Sequence, residues 1–207
     1  MLIQPKIRGF ICTASHPEGC SESVKRQINY VKKQPKFTGP KKVLIVGAST
    51  GYGLASRIAL AFGSDAQTIG VSFEKSAQGK RTASAGWYNT AAFERFSQED
   101  NLQAKSFNGD AFSNQMKQDV IEYIRDHVGK IDCLIYSLAS PRRQHPDSGE
   151  LFSSVLKPLQ KSYTNKTIDP LSGVMKEVTL EPANEQEVQD TITVMGGDDW
   201  SRWVDVL

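Results

Sequence analysis

The sequence predicts an α/β fold in which a doubly wound parallel sheet is covered by helices. Between about residues 41 and 141, short β-branched runs alternate with segments of helical periodicity, and a glycine-rich turn follows the first run. The 207 residues, 39% of them hydrophobic and 23% charged, suffice for one domain with a sizeable core. That balance excludes a disordered tail, a fibrous repeat and a coiled coil.

Four apolar runs joined by three helical segments predict the sheet and its crossovers, which must be right-handed to pack on the sheet. The strands are predicted at 43–46, 68–73, 104–107 and 131–136. The first helix is predicted over 52–62, and the second follows 86–89 and ends near 99. The third has Ser113 as its N-cap and stops at Gly129.

The flanking segments predict a division of the chain into two parts. Residues 1–40 are predicted to form an N-terminal extension with a hairpin and a helix over 22–33. The second part is 41–207, and its polar, turn-rich stretch 142–183 is predicted to be an insertion or lid, with no helix or strand assigned.

Two helices are predicted near the carboxyl end. Asn184 and Glu187 have the spacing of a capping box, and Asp198 is predicted to cap a second helix. The apolar face of that last helix is Trp200, Trp203, Val204 and Leu207. Because no stop signal or covering segment follows this face, the chain is expected to be truncated.

A glycine-rich turn between the first strand and the first helix predicts a phosphate site. Gly47, Gly51 and Gly53 have the Gly-x3-Gly-x-Gly spacing of Rossmann-like folds of the short-chain dehydrogenase/reductase type. Gly47 would permit a tight turn, Gly51 a close approach to a pyrophosphate, and Gly53 close packing of helix on strand. The helix amino end then presents free N–H groups to the phosphates.

Glu74 is the second element of this predicted dinucleotide site. It ends the second strand, 21 residues after Gly53, where a carboxylate can accept hydrogen bonds from the adenosine ribose. A carboxylate there repels a 2′-phosphate and favours NADH over NADPH, although the neighbouring Lys75 weakens that inference. Pairs that follow the later strands would meet the adenine edge and line the nicotinamide crevice: Asp110 with Ala111, and Leu138 with Ala139. The alternative is that all these residues are ordinary turn residues at strand ends, with a solvated glutamate.

No acid/base pair for catalysis can be found in the sequence. Reductases of this fold place a tyrosine and a lysine beyond the fourth strand, and none of the six tyrosines has a lysine four residues on. Tyr123 and Lys130 precede the fourth strand and would face the wrong edge of the sheet. Tyr163 and Lys166 are too close together to match such a pair.

Several other function classes have little support. Cys12, His16 and Cys20 lack the fourth ligand that a structural zinc needs, and three cysteines do not suggest a disulfide framework. A net charge of +2 offers little support for nucleic-acid binding. The chain has no apolar stretch long enough for a membrane span and no secretory signal, so a cytoplasmic protein is expected.

Seven blocks together resemble the FabV-type enoyl-[acyl-carrier-protein] reductases, also called trans-2-enoyl-CoA reductases. They are 5–12 (PKIRGFIC), 16–20 (HPEGC), 47–55 (GASTGYGLA), 85–89 (AGWYN), 108–112 (NGDAF), 136–141 (YSLASP) and 194–197 (VMGG). The resemblance implies NADH-dependent reduction of the 2,3 double bond of an acyl thioester in fatty-acid synthesis, with acyl carrier protein or CoA as carrier. It implies catalytic residues beyond Leu207. By position, it implies NADH contacts at Gly47, Ala48, Ser49, Thr50, Gly51, Tyr52, Phe73, Glu74, Asp110, Ala111, Leu138 and Ala139.

Alternatives to an active reductase remain open at this point. The chain could be a non-catalytic NAD(H)-binding module or an inactive remnant of such a reductase. The N-terminal block could be a simple cover of the sheet or a flap near the cofactor. Arg142 and Arg143 could meet phosphates of the thioester carrier or could simply be solvated.

Overall fold

The computed structural model describes residues 2–8, 11–169 and 171–207, which form two compact units. The first unit runs as far as Leu138 and includes Val204–Leu207, and the second is Ala139–Trp203. The domain boundary at residue 40, and the role of 142–183 as an insertion or lid, remain predictions.

The N-terminal segment contains a short antiparallel pair and a long helix. Its elements are β1 (Ile7–Arg8), β2 (Ile11–Cys12) and α1 (Pro17–Lys32). The helix begins before its predicted start because His16 caps it: Nδ1 of His16 accepts a hydrogen bond from the N–H of Gly19 at 3.3 Å, and Pro17 fills the first helical position. Gly9 and Phe10, in the first of the seven resemblance blocks, lie outside the described residues.

A four-stranded parallel sheet forms the centre of the first unit, as the sequence predicts. Its strands are β3 (Lys42–Val46), β4 (Gln67–Ser72), β5 (Ala104–Asn108) and β6 (Cys133–Tyr136). The order is β5-β4-β3-β6, so all four carboxyl ends lie along one edge. β6 begins later than predicted, and the Asp132 carboxylate accepts hydrogen bonds from the N–H groups of Lys41 and Lys42 at 2.8 and 2.9 Å.

Three helices connect these strands and bury the sheet. They are α2 (Gly51–Ser64), α3 (Ala85–Glu99) and α4 (Asn114–His127). The predicted N-cap of α4 is confirmed, since Oγ of Ser113 accepts a hydrogen bond from the N–H of Met116 at 3.1 Å. The apolar faces of α1, α2 and α3 form one core cluster with Val24, Ile28, Leu54, Ile58, Ala61, Phe62, Ala92 and Phe93.

Arg57 is a buried cation that ties α2 to the sheet. Its guanidinium donates to Oγ1 of Thr68, to Oγ of Ser106 and to the carbonyl of Lys105, at 3.2, 2.8 and 2.7 Å. It also lies 4.4 Å from the centre of the Phe93 ring. Burial lowers the pKa of Arg57 to about 10, so these contacts offset a real desolvation cost.

The second unit has regular structure within 142–183, where the sequence leaves helices and strands unassigned. It contains β7 (Arg142–Gln144), β8 (Leu151–Ser153), β9 (Tyr163–Ile168), β10 (Met175–Leu180), α5 (Glu185–Met195) and α6, which runs over Asp198–Val206. β7 pairs with β8 and β9 pairs with β10, both antiparallel. Every residue of β9 and β10 is exposed, so these strands lack the buried face that produces a readable apolar alternation.

The helix starts of this unit confirm one prediction and correct another. The capping box is present: Oδ1 of Asn184 accepts from the N–H of Glu187 at 2.8 Å, and Oε2 of Glu187 accepts from the N–H of Asn184 at 3.0 Å. Asp198, predicted as a cap, is instead the first residue of α6. Trp203 is fully buried, whereas Trp200 keeps 47% of its surface exposed.

The environment of Arg143 contradicts the possibility that this side chain is available to a phosphate. Its side chain is fully buried and donates to the Asp198 carboxylate and to the carbonyl of Thr193. Partial burial raises the pKa of Asp198, but the hydrogen bond and the charge of Arg143 hold that pKa below its ordinary value. The role of Arg143 is therefore to join β7 to the end of α5 and the start of α6. The neighbouring Arg142 is exposed.

Neither a membrane helix nor a metal cluster occurs in the described part of the chain. No helix there is long and apolar enough to cross a bilayer. The same residues contain no group of three or more histidines, cysteines or carboxylates arranged to hold a metal ion. His16 caps α1, and burial raises the pKa of the Cys20 thiol above its ordinary value.

Candidate functional site

The glycine-rich turn after β3 is fixed to the neighbouring strand. The N–H groups of Gly47 and Ala48 both donate to the carbonyl of Val71, at 2.9 and 3.0 Å. Gly47 has a φ of +89°, and a Cβ there would lie 2.4 Å from the carbonyl oxygen of Ser137. Glycine is therefore required at this position both by the backbone conformation and by the approach of the segment that follows β6.

The start of α2 is open to a ligand. Gly51 has a φ of +54°, and outside its chain neighbours and its own helix no described atom lies within 4 Å of the place where its Cβ would be. Thr50 is the N-cap residue but makes no side-chain capping bond, and the first turn has no acidic residue. The first N–H groups of the helix, together with its dipole, are thus available to an anion.

Gly53 brings the helix close to the strand. A Cβ on Gly53 would lie 2.0 Å from the carbonyl oxygen of Gly47. Gly47 and Gly53 therefore have the roles in the turn and in helix packing that their spacing predicts, and the contact of Gly51 with a pyrophosphate stays a prediction.

The carboxylate of Glu74 is held by two hydroxyl groups. Oγ of Ser49, in the glycine-rich turn, donates to Oε1 at 2.6 Å, and Oγ of Ser84, just before α3, donates to Oε2. The backbone is held as well: the N–H of Glu74 donates to Oδ1 of Asn108 at 2.8 Å, and Nδ2 of Asn108 donates to the Glu74 carbonyl at 3.0 Å. Each carboxylate oxygen retains a lone pair that can accept from another hydroxyl.

Gly86 lets the start of α3 approach this carboxylate. A Cβ on Gly86 would lie 2.0 Å from Oε1 of Glu74 and 2.8 Å from Cβ of Ser49. No local sequence pattern indicates the roles of Ser84, Gly86 and Asn108. Only their place in or beside the resemblance blocks 85–89 and 108–112 marks them.

The turn that contains Asp110 and Ala111 follows β5 and is held by a buried lysine. Nζ of Lys117, whose residue is 4% exposed, donates to the carbonyls of Ala111 and Phe112 at 3.0 and 3.1 Å. Oδ1 of Asp110 accepts from the N–H of Phe112 at 3.0 Å. This polar support lets the turn keep one conformation at the carboxyl edge of the sheet.

The remaining predicted residues lie in different environments. Tyr52 and Phe73 are large and mostly exposed, at 88% and 73%. Leu138 follows β6 on the same sheet edge as Gly47. A Cβ added to Gly47 would lie 3.0 Å from the backbone nitrogen of Leu138. Ala139 is the first residue of the second unit.

The tyrosines considered for catalysis lie outside this arrangement. Tyr123 belongs to α4, and its ring stacks on His127 with 4.6 Å between ring centres. Tyr163 belongs to β9 of the second unit and is 53% exposed. Tyr123 and Tyr163 therefore belong neither to the glycine-rich turn nor to the end of β4 or the start of α3.

The start of α2 is open, follows a glycine-rich turn and lies beside an anchored carboxylate at the end of the next strand. These features define a dinucleotide-binding α/β protein of the Rossmann type. Two family models match the chain: the NAD(P)H binding domain of trans-2-enoyl-CoA reductase over residues 2–79, and the trans-2-enoyl-CoA reductase catalytic region over residues 81–207. The chain belongs to the trans-2-enoyl-CoA reductase family.

Relatives and solved structures agree with this assignment. The chain is 57% identical over its whole length to a trans-2-enoyl-CoA reductase [NADH] of Ruminiclostridium cellulolyticum and 59% identical to an enoyl-[acyl-carrier-protein] reductase [NADH] of Coxiella burnetii. The crystal structure of Clostridium acetobutulicum trans-2-enoyl-CoA reductase in complex with NADH superposes with a TM-score of 0.95 at 44% identity. The superposition covers 100% of this chain and 52% of the chain in that crystal structure. The chain likewise spans about half the length of the curated relatives, 52% in both cases.

Proposed function

We propose that the first unit binds NADH, with the diphosphate at the start of α2 and the adenosine ribose on Glu74. The observation that carries this proposal is the doubly anchored Glu74 carboxylate, which Ser49 joins directly to the glycine-rich turn. The open space at Gly51 and the uncapped helix start fit a pyrophosphate. When bound, NADH supplies a hydride.

The residues proposed to hold NADH are the eleven residues of the first unit that the family resemblance implies, and the twelfth, Ala139, stays a prediction. The eleven are Gly47, Ala48, Ser49, Thr50, Gly51, Tyr52, Phe73, Glu74, Asp110, Ala111 and Leu138. A fixed, acceptor-only carboxylate pairs with a ribose diol and repels a 2′-phosphate, so NADH is preferred over NADPH.

Replacing Glu74 tests this binding mode. In Glu74→Ala, the ribose loses its charged acceptor, and we expect the free energy of NADH binding to weaken by about 2 kcal/mol, about thirtyfold in Kd. The measurement is a titration followed by NADH fluorescence, with thermal unfolding of the free protein as a folding check. Glu99→Ala is the matched control, because Glu99 is an exposed carboxylate that forms a surface ion pair with Arg95. An unchanged Kd in Glu74→Ala would reject the assigned ribose site.

We also propose that the whole protein reduces the 2,3 double bond of enoyl thioesters, carried on CoA or acyl carrier protein, in the cytoplasm. The activities for which the R. cellulolyticum and C. burnetii relatives are named support this. Because the chain spans only 52% of the length of these relatives, we propose that the acid/base residues of the whole protein lie beyond Leu207. In this proposal the 207 residues hold and orient NADH, and they do not complete catalysis.

A fusion tests this division of labour. The 207 residues alone are expected to bind NADH without oxidising it in the presence of crotonyl-CoA. Joining Leu207 to the remaining half of the R. cellulolyticum relative is expected to give NADH oxidation that depends on crotonyl-CoA. A folded fusion that binds NADH but shows no such turnover would instead support a non-catalytic NAD(H)-binding module.

A further inference from the structure

A second cavity of the first unit lies between the N-terminal segment and the loop that follows Glu74. It has a volume of about 610 Å³, within the range of small-molecule sites. We call it the basic cavity, and its lining is Leu2, Ile3, Gln4, Lys6, Thr13, Ala14, Lys80, Arg81 and Thr82. Neither the glycine-rich turn nor Glu74 contributes to it.

The charge of this lining is one-sided. Lys6, Lys80 and Arg81 face the cavity, and the described lining includes no carboxylate. Within the described residues none of the three forms an ion pair, whereas Lys32 and Lys36 pair with Asp100 and Asp65. Three cations around one space repel one another, and a bound anion would remove that repulsion.

The two walls of the basic cavity are joined by hydrogen bonds. The N–H of Ser15 donates to Oγ1 of Thr82 at 3.1 Å, which links segments 67 residues apart. In the N-terminal wall, the N–H and Oγ1 of Thr13 donate to the carbonyl of Lys6 at 2.7 and 2.9 Å. The cationic Lys6 and the hydroxyl-bearing residues are therefore held on a defined backbone frame.

The other wall is a small hairpin. Gln78 and Arg81 exchange two backbone hydrogen bonds of 3.0 Å, with Lys80 in the turn between them. The base of the hairpin is closed by Lys75 and Ser84, where each N–H is bonded to the other residue. Lys80 and Arg81 of this hairpin line the basic cavity, whereas Glu74 and Ser84 do not.

We propose that the basic cavity binds the phosphate-bearing end of coenzyme A in an acyl-CoA thioester. That end has a ribose 3′-phosphate and a diphosphate, with about four negative charges at neutral pH. Lysine and arginine bind phosphate oxygens by charge and hydrogen bonding, and the hydroxyl group of Thr82 adds a donor. The identity of the ligand rests on the proposed function, whereas the anion site itself rests on the lining.

The test is a calorimetric titration of the 207-residue protein with CoA, in the absence and presence of saturating NADH. The double variant Lys80→Gln/Arg81→Gln is expected to weaken CoA binding at least tenfold and to change the Kd of NADH less than twofold. Lys25→Gln/Arg26→Gln is the matched control, since it removes the same two charges from exposed positions of α1. That control is expected to retain CoA affinity.

Three results would overturn the proposal. The first is an equal loss of CoA affinity in the two double variants, which would mean a general effect of net charge. The second is displacement of CoA by NADH, which would place CoA in the dinucleotide site. The third is equal affinity for inorganic pyrophosphate, which would mean binding by charge alone. Failure of the protein to bind NADH would count against the proposed function, while the CoA titration would still report on the basic cavity.

Discussion

The Gly53→Ala substitution is expected to destabilise the protein by about 3 kcal/mol or more. A Cβ at this position would lie 2.0 Å from the carbonyl oxygen and 2.9 Å from the carbonyl carbon of Gly47. Both atoms belong to the backbone of the turn, which is bonded to Val71 of β4 and cannot withdraw without loss of those hydrogen bonds. The measurement is the free energy of unfolding from urea denaturation.

Gly19→Ala is the matched control for this prediction. Gly19 lies in the first turn of α1, and a Cβ there would meet only Cβ of His16, at 3.5 Å. Alanine is a better helix former than glycine, so we expect no loss and a gain of up to about 1 kcal/mol. Equal destabilisation by the two substitutions would show that contact with Gly47 is not the cause.

The sequence predicts features whose cause is local. The buried residues of β3 are a continuous apolar run because the strand is covered on both faces. Such a run can be recognised in the sequence and predicts the strand. Ser113 and Asn184 precede their helices by one residue, and each accepts a hydrogen bond from the N–H group three residues on. Each cap and its partner therefore lie within a few positions of the sequence. The contact between Gly53 and Gly47 likewise joins residues only six positions apart.

Features that depend on distant partners escape prediction from the sequence. Ser84 and Asn108 lie 10 and 34 residues from Glu74, and no local pattern marks a hydroxyl or amide that will support a particular carboxylate. The burial of Arg143 depends on Thr193 and Asp198, 50 and 55 residues away, and without them an arginine in a polar stretch is indistinguishable from one available to a ligand. β9 and β10 pair with each other but have no buried face, so their sequences show no apolar alternation.

The Gly86→Ala substitution is expected to separate cofactor binding from folding. Its Cβ would lie 2.0 Å from Oε1 and 2.3 Å from Cδ of Glu74, so the carboxylate must leave its hydrogen bond with Ser49. These are side-chain atoms that can rotate away, and the shift needed at Cβ of Ser49, 2.8 Å distant, is smaller. We expect a titration followed by NADH fluorescence to give a Kd raised at least tenfold, with only about 1 kcal/mol lost from the free energy of unfolding.

A double-mutant cycle with Glu74→Ala identifies the cause. If Gly86→Ala acts by displacing the carboxylate, it has no carboxylate to displace in the Glu74→Ala background, and NADH binding to the double variant will match that of Glu74→Ala alone. Additive losses would mean that Gly86 contacts the cofactor itself. A loss of stability as large as that of Gly53→Ala would mean that α3 cannot tolerate the methyl group, because the glutamate then has no alternative position.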